Sequence, residues 1–344
     1  MSDVSLGVLI ALAAGLVNGS FAAPTKYTTR WKWENIWAVW AVVALLITPW
    51  LLAFLTIPDL PGFYRNTSAG FILLLAAFGF GVGLAQVFFG LALAAVGLSI
   101  GFAVTIGLST ALGSLVPLVL LHPGEIRTPK GATVIAGVAL ILIGTGCCGL
   151  ASGRKNRDAE LGTAAAGDRR PRQRFTAGLL LCILAGALSP LVNIALALGS
   201  PIMSRAARLG VGPANQANTI WPPLLAATLV PYLAYCLYLG RKNGSLPLFA
   251  LPGTGRYWLL GALMGLLWTG SLALYGAAST RMAAMGPVVG WPLFMSMTII
   301  SSNVWGFATG EWKGARTKVI ALMLAGIGFL IMGFVSVALG ARLG

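Results

Sequence analysis

The chain has 344 residues, of which 58% are hydrophobic and only 9% are charged. Soluble domains carry about 25% charged residues, so a chain this apolar could not cover a water-facing surface, and a soluble globular fold is excluded. The net charge of +15 comes from basic residues in short stretches between apolar runs, a pattern that indicates anchoring in a lipid bilayer rather than binding to nucleic acid.

Hydropathy predicts ten transmembrane helices, so the expected fold class is an all-α membrane protein. Each apolar run has about the length needed to cross roughly 30 Å of hydrocarbon at 1.5 Å per residue. Helices are expected because backbone polar groups inside lipid must be bonded within their own segment. The predicted spans, numbered 1 to 10 in chain order, cover residues 5–24, 35–57, 70–94, 97–121, 131–151, 175–199, 216–240, 257–279, 285–308 and 316–340.

The polar segment 152–174 divides the chain into two halves, 1–151 and 175–344, each with five predicted spans. The segment lacks apolar periodicity, so we expect a flexible linker. Because five is odd, the two halves must lie in the membrane upside down relative to each other. Matching residues recur in the same order in both halves, which predicts an inverted repeat with a solute site at the repeat interface. These matches are Gly7, Gly15 and Asn18 with Gly178, Gly186 and Asn193, Gly97 and Gly101 with Gly286 and Gly290, and Glu125 with Glu311.

The basic residues also predict an orientation. Sixteen of the 23 Lys and Arg residues lie in the loops that follow the odd-numbered spans. The positive-inside rule places these loops, including the linker, in the cytoplasm, and it places both termini outside. The expected location is therefore the cell inner membrane, crossed several times.

Three amide side chains lie in the middle of predicted spans: Asn18 in span 1, Gln86 in span 3 and Asn193 in span 6. An unpaired amide costs free energy in lipid unless it faces protein or a hydrated cavity. Two explanations stay open. The amides bind the hydroxyl groups of a neutral polyhydroxylated solute, or they join neighbouring helices.

Aromatic residues lie deep in the second half of the chain, where an interfacial belt does not explain them. They either fill the core or stack on the apolar face of a sugar ring. These residues are Trp268, Tyr275 and Trp291.

None of the eight acidic residues lies in the middle of a predicted span. A proton-coupled transporter usually keeps an ionisable group at membrane depth, and Glu34, at the start of span 2, is the acid best placed for that role. The polar and aromatic stretch around it has two explanations. It is an interfacial belt, or Lys26 and Glu34 form a gate or coupling pair. We find no phosphate-binding motif, metal-ligand cluster or nucleophile–base pair, so we expect no enzymatic activity, no cofactor and no bound metal.

Several of these stretches also occur together in a known family. The chain resembles the L-rhamnose–proton symporter family of the drug/metabolite transporter superfamily, and the resemblance covers nearly the whole chain. It implies a ten-helix inverted-repeat fold and uptake of a 6-deoxyhexose driven by the proton gradient. The residues that carry it are Ala23-Pro24-x-Lys26, Trp31-Lys32-Trp33-Glu34-x-x-Trp37, Pro49-Trp50, Gly81-x-Gly83-x-x-Gln86-x-x-x-Gly90, Val96 to Gly101, Ile106-Gly107, Gly113, Pro117 and Glu311-Trp312.

The leading hypothesis is therefore a secondary transporter that takes up L-rhamnose or a related deoxyhexose by alternating access, with the proton gradient as driving force. One alternative is an exporter of amino acids or small amphipathic metabolites. A zwitterion needs groups that meet its charges, and no charged side chain is predicted at mid-span. Another alternative is a membrane sensor or assembly factor, but no soluble domain of useful size is predicted. The sequence does not predict the oligomeric state.

Overall fold

The computed structural model describes residues 3–163 and 172–343. Within these ranges there are ten helical segments long and apolar enough to cross a membrane, as predicted, and no β-strand. Two short helices, Leu60–Arg65 and Ser200–Arg208, lie between spans. In chain order, the helices of the spans cover Asp3–Ser20, Trp33–Val42 continued by Thr48–Thr56, Ala69–Val96, Leu98–Leu121, Pro129–Thr163, Arg172–Leu188 continued by Leu191–Leu198, Trp221–Lys242, Gly255–Arg281, Gly286–Ala308 and Thr317–Gly340.

The structure differs from the sequence prediction in two places, the segment after span 5 and the start of span 7. The flexible linker is wrong for residues 152–163, because the helix of span 5 continues to Thr163. Within this stretch, Asp158 pairs with Arg316 at 3.3 Å. Residues 164–171 lie outside the described ranges, so the assignment of 152–174 as a cytoplasmic linker between two halves stays a prediction. Span 7 begins at Trp221 rather than 216, because Gln216–Thr219 form a separate 3-10 turn.

Two spans contain interruptions that the sequence prediction did not include. In span 2, a π-helical turn over Val43–Ile47 separates the two helical segments just before Pro49. In span 6, the helix breaks at Ser189 and Pro190. Proline lacks the backbone N–H that an α-helix requires, and interruptions of this kind often mark functional positions in membrane helices.

Spans 5 and 10 pack along an antiparallel glycine seam. A Cβ built on Gly137 would lie 2.8 Å from the carbonyl oxygen of Gly333, and one built on Gly144 would lie 2.8 Å from that of Gly326. The reverse contacts are equally close. Because the residue numbers run in opposite directions along the seam, the two helices are antiparallel, and only glycine permits this backbone approach.

Several further close glycine contacts occur in matching pairs in the first and second halves of the chain. Gly79 and Gly83 of span 3 approach the backbone of span 7 at residues four apart, Leu224 and Thr228. Gly261 and Gly265 of span 8 approach span 2 at residues four apart, Val39 and Val43. In the same way, Gly15 of span 1 lies against the Phe294 carbonyl of span 9, and Gly186 of span 6 lies against the Thr105 carbonyl of span 4. These glycine motifs are thus packing surfaces between helices.

The outer surface of the helix bundle is apolar. Leu55, Leu73 and Leu259 are 73%, 70% and 74% exposed. Such exposure would be costly in water, but it carries no such cost when hydrocarbon is the solvent. The structure therefore has the polarity of a multi-pass membrane protein.

Candidate functional site

A cavity of about 210 Å³ lies inside the bundle, where spans 1, 3, 4, 6, 8 and 9 meet. No Asp, Glu, Lys, Arg or His side chain is among the described residues that line it. Its wall combines a few amide and hydroxyl groups with a larger apolar surface. The lining residues are Asn18, Val82, Ala85, Gln86, Phe89, Thr105, Ile106, Ser109, Ser189, Val192, Trp268, Leu272, Trp291, Phe294 and Met295.

A second cavity of about 900 Å³ adjoins the first and shares Asn18, Gln86, Phe89 and Ile106 with it. Its wall extends to the ends of spans 1, 3, 5, 7 and 9 and to the starts of spans 2 and 4. These ends all lie on the side of the loops that follow odd-numbered spans. The two cavities therefore form one path from that side to the centre of the bundle.

Gln86 and Asn18 present unused hydrogen-bonding capacity where the cavities meet. The Gln86 amide makes no hydrogen bond within the described part of the chain, although the residue is only partly exposed. Asn18 is 9% exposed, and its Nδ2 donates to Ser271 Oγ at 2.8 Å. That bond orients the Asn18 side chain, while its Oδ1 has no partner among the described residues. Together the two amides offer donors and acceptors to a neutral polar solute.

Hydroxyl groups that the sequence analysis did not single out also line the small cavity. The Thr105 and Ser189 hydroxyls donate to carbonyl groups of the helices, those of Cys182 at 3.2 Å and Ala185 at 2.7 Å. The Ser109 hydroxyl has no partner among the described residues. Ser and Thr are frequent in transmembrane helices, so no sequence signal distinguishes Ser109 from a packing residue.

Trp268 and Trp291 form aromatic walls of the small cavity. The Trp291 indole is fixed by its Nε1, which donates to the Ser109 carbonyl at 3.1 Å, and by ring contact with Phe294. A Cβ on Gly113 would overlap this indole, so the glycine makes room for it. Trp268 packs edge-on against Trp40 at a centroid distance of 5.4 Å. Trp268 and Trp291 can therefore both contact a bound solute, as the sequence analysis suggested for one of its two explanations.

Asn193 and Tyr275 do not line either cavity, although the sequence analysis grouped them with the solute-binding residues. Asn193 is 1% exposed, and its Nδ2 donates to the carbonyl oxygens of Gly113 at 2.7 Å and Pro287 at 3.0 Å. The Tyr275 hydroxyl donates to Asn193 Oδ1. Their polar groups are thus used to join spans 4, 6, 8 and 9, which is the interhelical explanation left open by the sequence.

Lys26 pairs with Glu311 rather than with Glu34, so the predicted Lys26–Glu34 pair is wrong. Lys26 Nζ contacts Glu311 Oε1 and the Thr309 hydroxyl. This ion pair joins the segment after span 1 to the loop after span 9, at the mouth of the large cavity. The sequence analysis used Glu311 only as a match between the two halves. Because Lys26 and Glu311 are 285 residues apart, no local sequence pattern predicts that they form a pair.

Glu34 lines the large cavity but is 4% exposed. Its Oε1 accepts hydrogen bonds from Asn243 Nδ2 at 3.0 Å and from the Ser245 hydroxyl, both in the loop after span 7. Within the described ranges, no cation lies within ion-pair distance of its carboxylate. The neighbouring Trp31 is buried, and its Nε1 donates to the Leu248 carbonyl at 2.8 Å. This part of the polar stretch therefore packs into the protein instead of forming a lipid-facing belt.

Comparisons with known proteins give a consistent result. A family model described as L-rhamnose-proton symport protein (RhaT) matches residues 1–342. Proteins named L-rhamnose-proton symporter from Cronobacter sakazakii and Salmonella paratyphi B are 28% and 27% identical to this chain, and each alignment covers 98% of both chains. A solved structure described as "Crystal structure of protein" is similar with a TM-score of 0.53 at 16% identity, over 99% of both chains. That structural likeness shows the fold alone.

Proposed function

Because the chain belongs to the L-rhamnose–proton symport protein family, we propose that it takes up L-rhamnose or a related deoxyhexose together with protons. The family is a family of transporters rather than enzymes. The observation that carries the proposal is the central cavity, which has unpaired amide groups at membrane depth and no charged side chain among its described lining residues. The proton gradient across the inner membrane is the driving force, and no cofactor is required.

The polar groups of the small cavity suit the hydroxyls of a sugar. Gln86, Asn18 Oδ1 and the Ser109 hydroxyl are the groups that lack protein partners in the described ranges. Leaving such groups unpaired in a buried site costs about 1–3 kcal/mol each, and the hydroxyl groups of a bound sugar would supply the missing partners. Each group can donate or accept except Asn18 Oδ1, which only accepts.

The apolar part of the wall suits the carbon face of the same ring. Trp268 and Trp291 can stack on C–H groups, while Val192 and Leu272 fit a methyl substituent. A 6-deoxyhexose has both kinds of surface. An amino acid would bring two full charges into a cavity without a charged lining residue, which is costly, so the exporter alternative has no support from the site.

We propose alternating access between two inverted repeats. The matched glycine contacts described above support the repeat, since equivalent positions in the two halves make equivalent contacts. Asn18 and Ser189 each lie three residues after a matched glycine, so Ser189 rather than Asn193 is the counterpart of Asn18 in this alignment, and Gln86 and Trp268 are related in the same way. These two related pairs line the small cavity, as expected for a solute site on the axis that relates two repeats.

The orientation completes the proposal. The positive-inside rule places the mouth of the large cavity in the cytoplasm, so this conformation is open to the cell interior. We expect a membrane-impermeant maleimide to label Gly212→Cys, in the loop between spans 6 and 7, in intact cells that express an otherwise cysteine-free protein. Asn156→Cys should react only in inverted vesicles. The opposite labelling pattern would reverse the orientation.

Counterflow in proteoliposomes tests the substrate assignment without a proton gradient. Vesicles loaded with unlabelled L-rhamnose should take up radiolabelled L-rhamnose, and external L-rhamnose should compete while amino acids should not. Empty liposomes provide the baseline. If reconstituted, folded protein shows no counterflow with any deoxyhexose, the proposed function is wrong.

A further inference from the structure

We propose that Glu34 carries the coupling proton, and that the proton binds at its Oε2 atom while Oε1 stays bound to the loop after span 7. This inference rests on the proposed function, because it names the proton site of the proposed symport. It depends on which oxygen of the carboxyl group is already occupied and on which acids reach the transport path.

Glu34 has one occupied oxygen and one available oxygen. Asn243 Nδ2 and the Ser245 hydroxyl both donate to Oε1, which leaves Oε2 without a side-chain partner among the described residues. Glu34 is among the residues that line the large cavity, so a proton can reach its carboxyl group from that cavity. A proton at Oε2 therefore disturbs neither existing bond.

The other acids are less suited to this role. Within the described ranges, Glu34 and Glu311 are the acids that line the cavities. Glu311 makes an ion pair with Lys26, and its side chain is 49% exposed. Asp158 pairs with Arg316. Glu34 has no such cation, so no ion pair must break when it takes up a proton.

Several charged or titratable groups near Glu34 can influence its protonation. Lys32, on the same segment, donates its ammonium group to the Asn243 carbonyl at 2.9 Å. Tyr235 and Cys236 of span 7 are its uncharged titratable neighbours. Lys155 and Glu311 lie on the wall of the same cavity. The Lys155 Nζ atom lies over the Trp312 ring, 5.0 Å from the ring centroid.

Protonation has a direct physical consequence for transport. Closing the cavity mouth removes water from Oε2, and an unpaired carboxylate resists that removal strongly, whereas a neutral carboxyl does so far less. The protonated form can therefore stay closed on the cytoplasmic side while it carries a neutral sugar, and when the mouth opens, water returns to the carboxyl group and it ionises. The step balances: the carboxylate takes up one proton that comes from outside and becomes a neutral carboxyl, and the same proton is released to the cytoplasm with the sugar.

The test compares Glu34→Gln with Glu125→Gln in proteoliposomes that contain the full-length protein. A glutamine keeps the carbonyl oxygen that accepts from Asn243 and Ser245, but it cannot carry a proton. We expect Glu34→Gln to retain counterflow within a factor of about three, to lose accumulation driven by a pH gradient, and to lose sugar-dependent proton uptake. Glu125, in the loop between spans 4 and 5, lines neither cavity, and its variant should behave as wild type.

Gradient-driven accumulation by Glu34→Gln at the wild-type level would overturn the proposal while leaving the sugar assignment intact. Failure of counterflow by the wild-type protein would instead overturn the proposed function. A measurement on the wild-type protein tests the proposal even if the Glu34→Gln variant does not fold. A hydrophobic carbodiimide, which reacts with protonated carboxyl groups, should modify Glu34 more at low pH, and mass spectrometry showing modification of Glu311 but not Glu34 would contradict the proposal.

Discussion

At the scale of single residues, the cavity separates the side chains that we propose to bind solute from those whose polar groups join helices. Gln86 and Asn193 are both amides within membrane helices, and the sequence treats them alike. In the structure, Gln86 has no protein partner in the described ranges, whereas Asn193 uses both ends of its amide. A substitution at each position should therefore affect a different property of the protein.

Replacing Gln86 with leucine should weaken apparent sugar affinity about tenfold. A hydrogen bond to a neutral group contributes about 0.5–1.5 kcal/mol, and 1.4 kcal/mol corresponds to tenfold in affinity. The concentration dependence of L-rhamnose counterflow measures the change. Thermal stability should be unchanged, because the side chain makes no hydrogen bond to the protein within the described ranges and leucine has a similar size. Gln86→Leu with wild-type affinity would remove this residue from the site.

Replacing Gly113 with alanine tests whether the position of the Trp291 indole matters. The added Cβ would overlap the ring, so the indole must move and its bond to the Ser109 carbonyl must break. We expect several-fold weaker counterflow affinity. Gly107→Ala, in the same helix, is the matched control, because its Cβ would make an ordinary contact of 3.5 Å with Leu142. Equal affinities in the two variants would contradict the aromatic wall.

The residue scale also shows how far sequence reasoning reached. Mid-span position identified Asn18, Gln86, Trp268 and Trp291, and all four lie together on the small cavity. The same rule included Asn193, because polarity and depth do not reveal whether a neighbouring helix offers backbone carbonyls. The Lys26–Glu311 pair depends on how spans 1 and 9 are placed, and no local pattern contains that information.

At the scale of elements, Asn193 joins spans 4, 6 and 9 and contacts span 8 through Tyr275. Interhelical hydrogen bonds in membranes average about 0.6 kcal/mol and reach about 1.7 kcal/mol, so loss of all three should destabilise the fold by about 2–4 kcal/mol. Asn193→Leu should therefore lower the thermal unfolding temperature in detergent, while Gln86→Leu serves as the control. An unchanged unfolding temperature would rule out the joining role.

The seam between spans 5 and 10 should tolerate no side chain at Gly144. An alanine there would place its Cβ 2.8 Å from the Gly326 carbonyl and force the helices apart, which typically costs about 1–3 kcal/mol. Gly146, two residues later in the same helix, has nothing within 4 Å of an added Cβ. Thermal unfolding should show Gly144→Ala destabilised and Gly146→Ala not, and the reverse order would mean that the seam is misplaced.

Hydropathy predicted the ten spans well because length and apolarity are what lipid requires of a helix. It could not predict the interruptions. Pro49 and Pro190 were visible in the sequence, but a proline in a membrane helix can be accommodated with or without a break. The helical continuation over residues 152–163 was missed because the hydropathy signal ends where span 5 leaves the lipid, although its helix does not.

At the scale of the whole molecule, the two halves use the same contacts with different cavity chemistry. Equivalent positions hold Gln86 in the first half and Trp268 in the second, and likewise Asn18 and Ser189. The first half supplies the amides of Gln86 and Asn18, while the second supplies an aromatic wall. We infer that a sugar binds with its hydroxyl groups toward the first half. The repeat stays a prediction from sequence motifs, whereas this division of roles can be read only from the cavity.

The most direct measurement of the whole account is sugar accumulation by the purified wild-type protein in proteoliposomes under an imposed pH gradient. Radiolabelled L-rhamnose and the internal pH are followed together. The account predicts accumulation above the external sugar concentration when the outside is acidic, accompanied by internal acidification that requires the sugar. Equilibration of the sugar without any dependence on the gradient, or proton entry that ignores the sugar, would contradict it.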